Sequence, residues 1–237
     1  MDSMNAGPAN SAPSAHRNSD VWVVIPLYNE AEVIGGVIRG LLTEFPHVVC
    51  IDDGSTDGSG SIASYAGARL LRHPINLGQG AALQTGFEFA LEQGARYVVT
   101  FDADGQHRVE DALAMVDRAR ADNLAIVFGS RFLDDRTKPG LLKKIVLKTA
   151  VWVTNITTRT KLTDAHNGLR VIRDDALRQV KLRQDRMAHG TEIVVQLGKT
   201  KLPFAEQPVE VLYTDYSKAK GQSLLNSVNI LVDLIIR

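Results

Sequence analysis

The sequence predicts an α/β fold, with a mostly parallel central sheet flanked by helices in a single domain. Three observations lead there. Short, continuously apolar runs alternate with stretches of helical periodicity over the first 130 residues. Strands apolar on both sides belong to parallel sheets with helices on both faces. Three polar clusters, Asn29-Glu30, Asp52-Asp53 and Asp102-Asp104, each follow directly on one of those runs. Parallel sheets bind ligands beyond the carboxyl ends of their strands, so the three clusters are expected to form one site. The chain has 237 residues, 44% of them hydrophobic, which is enough to fill one large core.

Residues 1–20 are rich in Ser, Ala, Asn and Pro without an apolar stretch, and read as a disordered arm. The domain is expected over 21–237. Trp22 to Pro26 reads as a buried strand ended by proline. Glu30 to Phe45 carries Val33, Ile34, Val37, Ile38, Leu41 and Leu42 at helical spacing. Val48 to Ile51 is a second strand. The turn-rich Asp52-Asp53-Gly54-Ser55-Thr56-Asp57-Gly58 follows it and is suited to cap a helix from about Asp57. Arg69 to Arg72 is the third strand, Gly80 to Gln93 a helix, and Tyr97 to Phe101 a strand running into Asp102. Val109 to Ala121 is a helix and Leu124 to Phe128 the fifth strand. Beyond residue 135 the rhythm changes. A basic helix is expected over Lys138 to Thr158, strands over Gly168 to Ile172 and Val209 to Leu212, a helix over Thr191 to Leu197, and an apolar last helix over Ser223 to Ile236.

The formal net charge is zero, but its distribution is uneven. Residues 1–135 carry 9 Lys/Arg against 18 Asp/Glu, and residues 136–237 the reverse. An acidic half suits a divalent cation, and a basic half an anionic partner. Clustering on solvated helices accounts for the split as well. The sequence lacks basic–aromatic interleaving, which argues against nucleic acid. The lone Cys50 sits in an apolar run and reads as core, in a reducing compartment. No stretch reaches the roughly 20 apolar residues that span a bilayer.

Asp102-x-Asp104 carries the strongest chemical signal. On an extended strand end, residues i and i+2 point the same way. Adjacent carboxylates repel unless a cation separates them, and oxygen ligands select Mg²⁺ or Mn²⁺ over zinc. Such an ion neutralises charge developing on a departing diphosphate. Gln106 and His107 stand where they would complete or orient the shell. A polar turn with Asp-Gly at its apex is the plainer alternative. In the loop after the second strand, Asp53 is suited to accept from a ribose or base, and Ser55 or Asp57 to cap. His73-Pro74-x-Asn76-x-Gly78-x-Gly80 opens a helix with close backbone approach. It lacks the third glycine of a dinucleotide fingerprint and the Gly-Lys-Ser/Thr of a P-loop.

Val24-Ile25-Pro26-Leu27-Tyr28-Asn29-Glu30, Asp52-Asp53-Gly54-Ser55-Thr56-Asp57, Asn76-x-Gly78-x-Gly80-x-Ala82 and Asp102-Ala103-Asp104-Gly105-Gln106-His107 together resemble the serial motifs of family 2 inverting glycosyltransferases with the GT-A fold. The resemblance covers about residues 20–237 and is nearest the polyprenyl-phosphate (dolichyl-phosphate type) sugar synthases. The segment Tyr213 to Ser223 is similar to an actinobacterial subgroup that makes polyprenyl-phosphate N-acetylgalactosamine. The resemblance implies a single nucleotide-sugar-binding domain, with 21–135 its nucleotide-binding half and 136–237 its acceptor-binding half. It implies that Pro26, Tyr28, Glu30, Asp53, Gly80 and Asp102 hold the donor nucleotide. Asp102, Asp104 and Gln106 would hold Mg²⁺ or Mn²⁺ and the diphosphate, and Asp104 and Asp164 would be the catalytic acids. Arg131, Arg170, Lys218 and Lys220 would meet an acceptor phosphate. Lys218 and Lys220 precede Gly221, whereas the mannose synthases carry an arginine followed by Gly-x-Ser-Lys.

A phosphate monoester is already ionised near neutral pH, its second pKa being about 6. It needs cations to position it rather than a base. A sugar hydroxyl needs a base, for which Asp164 and Glu192 are the candidates. The expected reaction is therefore transfer from a nucleoside-diphosphate sugar, UDP-GalNAc, UDP-GlcNAc or UDP-Glc, to polyprenyl phosphate. A same-fold transferase acting on a saccharide hydroxyl, or a non-catalytic nucleotide-sugar-binding subunit, are the alternatives. Core packing is the default for the apolar last helix; docking on the inner face of the cell membrane, from the cytoplasm, or on a small membrane-protein subunit is the alternative. Oligomeric state stays open, a dimer included.

Overall fold

The computed structural model describes residues 17–134, 162–164, 167–184, 189–212 and 216. The expected helices over 138–158 and 223–236 lie outside the described residues, as do Lys218 and Lys220. In chain order the elements are β1 (Val21–Leu27), α1 (Ile34–Leu41), β2 (His47–Asp52), α2 (Ser59–Tyr65), β3 (Arg69–Arg72), α3 (Gln79–Glu92) and β4 (Tyr97–Thr100). They continue with α4 (Val109–Ala121), β5 (Ile126–Ser130), β6 (Arg170–Arg173), α5 (Asp174–Leu177), α6 (His189–Lys199) and β7 (Phe204–Pro208).

The strands form one seven-stranded sheet in the order β3-β2-β1-β4-β6-β5-β7. All neighbours are parallel except β6, which runs against both β4 and β5. Alternate residues of β1 serve opposite faces. Val21, Val23, Ile25 and Leu27 join a core with Ile34, Ile38 and Leu41 of α1 and Ala112, Met115 and Val116 of α4. Val24 joins the opposite core with Ala82, Leu83 and Phe87 of α3 and Ile193, Val194 and Leu197 of α6. Both faces are thus covered, as the unbroken apolar strands require. Helix α4 also has matched ends: Glu110 and Asp111 lie in its first turn, Arg118 and Arg120 in its last, each favoured by the helix dipole.

Several boundaries differ from the sequence expectation, each for a physical reason. Pro26 does not end β1; it pairs with Ile51 inside it. Pairing with β4 covers only Val21–Val24. The Leu27 carbonyl accepts from Asp53 N–H on the β2 side, so the N–H that Pro26 lacks would face the side where β4 has already stopped. Regular α1 is shorter than Glu30 to Phe45: residues 31–33 turn onto the Glu30 carbonyl before it, and Thr43 and Glu44 tighten into i→i−3 turns after it. The strand expected at Val209 to Leu212 lies earlier, at Phe204–Pro208, and Val211 makes only an isolated bridge to His107. Residues 17–20 belong to the folded body, not to the arm. Asn18 Nδ2 donates to the Glu44 carbonyl, Arg120 pairs with Asn18 and Asp20, and Arg17 pairs with Asp117.

Candidate active site

The three polar clusters do meet at one sheet edge, since β1, β2 and β4 are parallel and end there. The loops after β1 and β2 are stapled together. Asn29 sits at φ 53°; its N–H donates to Ser55 Oγ (3.0 Å), and its Oδ1 accepts from Thr56 N–H (2.9 Å). Glu30 N–H donates to Ser59 Oγ at 2.8 Å and Ala31 N–H to Asp57 Oδ2 at 3.0 Å. Ser59 N–H and its hydroxyl both donate to Asp57 Oδ1, so Asp57 caps as expected. These contacts fix Glu30, whose Oε2 accepts from the Tyr216 hydroxyl at 2.7 Å. Tyr28 lies at the rim, 47% exposed.

Asp53 is buried and fully engaged. Its Oδ1 accepts from Leu77 N–H (2.9 Å) and faces His73 Nδ1 (2.7 Å), and its Oδ2 accepts from Gly78 N–H (2.8 Å). His73 Nε2 in turn faces Thr85 Oγ1 at 3.0 Å. Asp53 therefore shapes the loop that opens α3, a partnership the sequence alone did not suggest. Gly80 needs its missing side chain for a different reason from the expected one. A Cβ there would meet the Gln184 carbonyl at 2.0 Å and His189 Cβ at 2.9 Å. Its close approach is to the chain entering α6 rather than to an open ligand surface.

Asp102 and Asp104 follow β4. Asp102 Oδ2 meets His107 Nε2 at 2.9 Å, and Gln79 Nε2 reaches its Oδ1 at 3.5 Å. Burial pushes the Asp102 carboxyl up, but the His107 contact, with Arg170 and His189, outweighs it and holds the group low. Asp104 goes the other way. Burial, the Asp102 charge and Glu30 push it up to about 6, against the Gln106 N–H and His107. Asp104 Oδ1 accepts that Gln106 N–H at 3.0 Å, and the buried Gln106 carbonyl accepts from Leu212 N–H. The backbone at Gly168 presses on this pair: a Cβ there would stand 2.2 Å from Asp102 Oδ2.

This donor set fits a hard divalent cation. Two carboxylates two residues apart carry charge that one of them resists, and a cation relieves that resistance. Among the described residues no third acidic, histidine or cysteine side chain completes a protein cage. The remaining positions of such an ion would fall to ligand oxygens and water, the usual arrangement for Mg²⁺.

The second charged centre follows β5. Arg131 Nε donates to Asp164 Oδ2 at 2.6 Å and its Nη2 to Asp164 Oδ1 at 2.8 Å. Arg131 N–H adds a third contact at 3.2 Å. The Asp164 side chain is 0% exposed. Arg170 is buried on β6, paired opposite Thr100 of β4. Burial lowers its pKa to about 10 while Asp102 and Asp164 pull it back up, so it stays charged between the two centres. It acts on these carboxylates rather than facing solvent. Glu192, the rival base, accepts from Arg183 and Gln184 N–H and from Gln196 Nε2, and so holds the entry to α6. The sequence reading missed Glu206 of β7. Its carboxylate accepts from Thr163 N–H, Asp164 N–H and the Thr163 hydroxyl at 2.8, 3.1 and 3.0 Å.

A sheet edge with paired carboxylates and a buried arginine–carboxylate pair suits a nucleotide-sugar transferase, and comparison with known proteins specifies the class. The model of "Glycosyl transferase family 2" matches residues 22–181. An uncharacterized protein of Methanocaldococcus jannaschii is 31% identical over 233 residues, covering 96% of each chain. A UDP-N-acetylglucosamine–dolichyl-phosphate N-acetylglucosaminyltransferase of Methanococcus voltae is 29% identical, over 91% of this chain and 95% of that one. An undecaprenyl-phosphate mannosyltransferase of Micrococcus luteus is 28% identical over 87% of each. Among solved structures, glucosyl-3-phosphoglycerate synthase from Mycobacterium tuberculosis, in complex with Mn²⁺, UDP and phosphoglyceric acid, superposes with a TM-score of 0.67. It is 14% identical and covers 94% of this chain and 80% of that one, a likeness of fold. The chain belongs to glycosyl transferase family 2 and is a glycosyltransferase of the GT-A fold.

Proposed function

We propose that this enzyme transfers a sugar from a UDP-sugar to a polyprenyl phosphate with inversion at the anomeric carbon, at the inner face of the cell membrane. The observation that carries the reading is the state of Asp164. Its carboxylate is buried and held by two side-chain N–H groups and one backbone N–H of Arg131. A carboxylate so engaged is a poor general base. It is well made to hold a guanidinium in one plane, and a planar guanidinium suits a phosphate. An acceptor that is already ionised needs no base, which is the property of a phosphate monoester. The relatives named for dolichyl- and undecaprenyl-phosphate support the same acceptor class.

Asp102 and Asp104 would hold Mg²⁺ or Mn²⁺, which supplies charge neutralisation to the departing nucleoside diphosphate. Glu30 and Asp53, fixed by the stapled loops, organise the nucleoside end. Arg131, oriented by Asp164, receives the acceptor phosphate, with Lys218 and Lys220 as further cations and Arg170 balancing both acidic centres from behind. UDP-GlcNAc, UDP-GalNAc and UDP-Glc are the candidate donors. Among the described residues no helix is long and apolar enough to cross a membrane; the proposal assigns engagement of the lipid to a surface contact or to a membrane-protein subunit.

The test is a panel of labelled UDP- and GDP-sugars with purified protein, Mn²⁺ or Mg²⁺, and a short polyprenyl phosphate. The expected result is metal-dependent label in the organic phase from one UDP-sugar, with the opposite anomeric configuration by NMR. Transfer only to water-soluble saccharides would overturn the reading.

A further inference from the structure

We propose that Glu206 is a positioning residue for acceptor binding: through the Thr163–Asp164 backbone it sets where the Arg131 guanidinium stands. The inference rests on the assignment of Arg131 to the acceptor phosphate. Glu206 lies on β7, opposite Phe128 of β5, and so reaches the segment that follows the same sheet edge. Its Oε1 receives Thr163 N–H, Asp164 N–H and the Thr163 hydroxyl, and its Oε2 receives Thr163 N–H as well, at 3.0 Å. The donors are separated from it by more than 40 residues of sequence, with |i−j| of 42 and 43.

The direction of this network is determined. A carboxylate only accepts, so the Thr163 hydroxyl proton points to Glu206. Ser130 Oγ lies 2.6 Å from Thr163 Oγ1, and with the threonine proton committed, the Ser130 hydroxyl must donate. Ser130 Oγ then accepts from Phe132 N–H at 3.2 Å. The chain runs Phe132 N–H, Ser130 hydroxyl, Thr163 hydroxyl, Glu206 carboxylate, and it brackets Arg131 on both sides. Asp164, whose N–H Glu206 holds, grips the same arginine by two side-chain contacts. Arg118 of α4 anchors β7 from the other side, donating to the Glu206 carbonyl (2.7 Å) and to Gln207 Oε1 (2.9 Å). Burial pushes the Glu206 carboxyl up, and the nearby Asp164 charge adds to it, against the Thr163 and Asp164 donors. A residue that only filled the edge strand would not need that charge.

Replacing Glu206 by alanine leaves the Thr163 and Asp164 donors without their acceptor and frees the loop. Glutamine keeps one acceptor oxygen for three of the contacts and loses the fourth, because its amide NH2 would face the Thr163 N–H, itself a donor. The experiment measures steady-state KM for short polyprenyl phosphate and for the UDP-sugar in Glu206→Ala, Glu206→Gln, Thr163→Val and Arg131→Lys. The expected result is an acceptor KM raised about tenfold or more in Glu206→Ala, a donor KM within about twofold of the parent, and substantial recovery in Glu206→Gln. Thr163→Val, which removes the hydroxyl link alone, should raise acceptor KM by a few-fold and serves as the reading if Glu206→Ala does not fold. An acceptor effect in Arg131→Lys without one in Glu206→Ala or Thr163→Val overturns this inference and leaves the acceptor assignment standing. Unchanged acceptor KM in Arg131→Lys overturns both. Donor and acceptor KM moving together in Glu206→Ala would reduce Glu206 to a general structural role and also overturn it.

Discussion

Asp104 has a carboxyl that resists ionising, beside an Asp102 that does not. Its folded pKa of about 6 lies above the unfolded 3.8. The proton it holds therefore favours the fold at low pH, and that contribution is lost as pH rises from about 4 to about 6. Above that window both carboxylates of the metal-free protein are ionised, and a divalent ion gains most by binding. Below it, protons compete with the ion. Mn²⁺ should therefore raise the melting temperature more at about pH 7.5 than at about pH 5, measured by differential scanning fluorimetry. Asp104→Asn should abolish that difference. Arg170 is the complementary case, a buried cation facing Asp102 and Asp164. Arg170→Met leaves both carboxylates short of compensation and should destabilise by about 3–5 kcal/mol in urea unfolding. Mn²⁺ should restore part of the loss through Asp102, and stabilise the variant more than the parent.

At the scale of elements, two glycines have different work, and substitution separates them. A Cβ at Gly168 meets the Asp102 carboxylate, and one at Gly80 meets the Gln184 carbonyl. Gly168→Ala should reduce turnover and metal affinity with modest loss of stability. Gly80→Ala should destabilise by about 1–3 kcal/mol by pushing the entry of α6 off α3, seen in thermal melts. The same elements explain what sequence reading can reach. Strands β1, β2, β4 and β5 were legible because burial on both faces demands unbroken apolar runs. Strand β7 was not: Phe-Ala-Glu-Gln-Pro has no such run, lies at the sheet edge, and is specified by pairing with β5. The acidic pair after β4 was legible as a motif, because its members are two residues apart. Glu206 was not, because its meaning lies in backbone donors far away in sequence. Gly80 was legible as a close approach but not as to what, since the Gln184 carbonyl arrives from another part of the chain. The role of Asp53 in shaping the next loop was hidden for the same reason.

For the whole molecule, the sheet joins two differently charged stretches of chain at one working edge. Residues 21–130 supply five strands of the sheet and the Asp102–Asp104 pair, the side proposed for the donor. Arg131 and Asp164 add the second centre where β5 ends and β6 begins. If this division is functional, donor and acceptor binding are separable. Replacing 135–161 with the corresponding segment of a relative that takes another acceptor should leave UDP and Mn²⁺ affinity within about threefold while changing acceptor preference, measured by calorimetry and product analysis. Retained acceptor preference would argue that the choice is made elsewhere.

The single reversed strand, β6, gives this prediction its basis. Because β6 runs against its neighbours, the chain leaves β5 and enters β6 at the same edge of the sheet. The chain thus leaves the sheet after Ser130 and re-enters it at Arg170 on one edge, and Arg131 and Asp164 grip each other there. With entry and exit on one edge, a change of length or sequence within 135–161 would leave the register of the seven strands as it is, which is what the exchange of that segment tests.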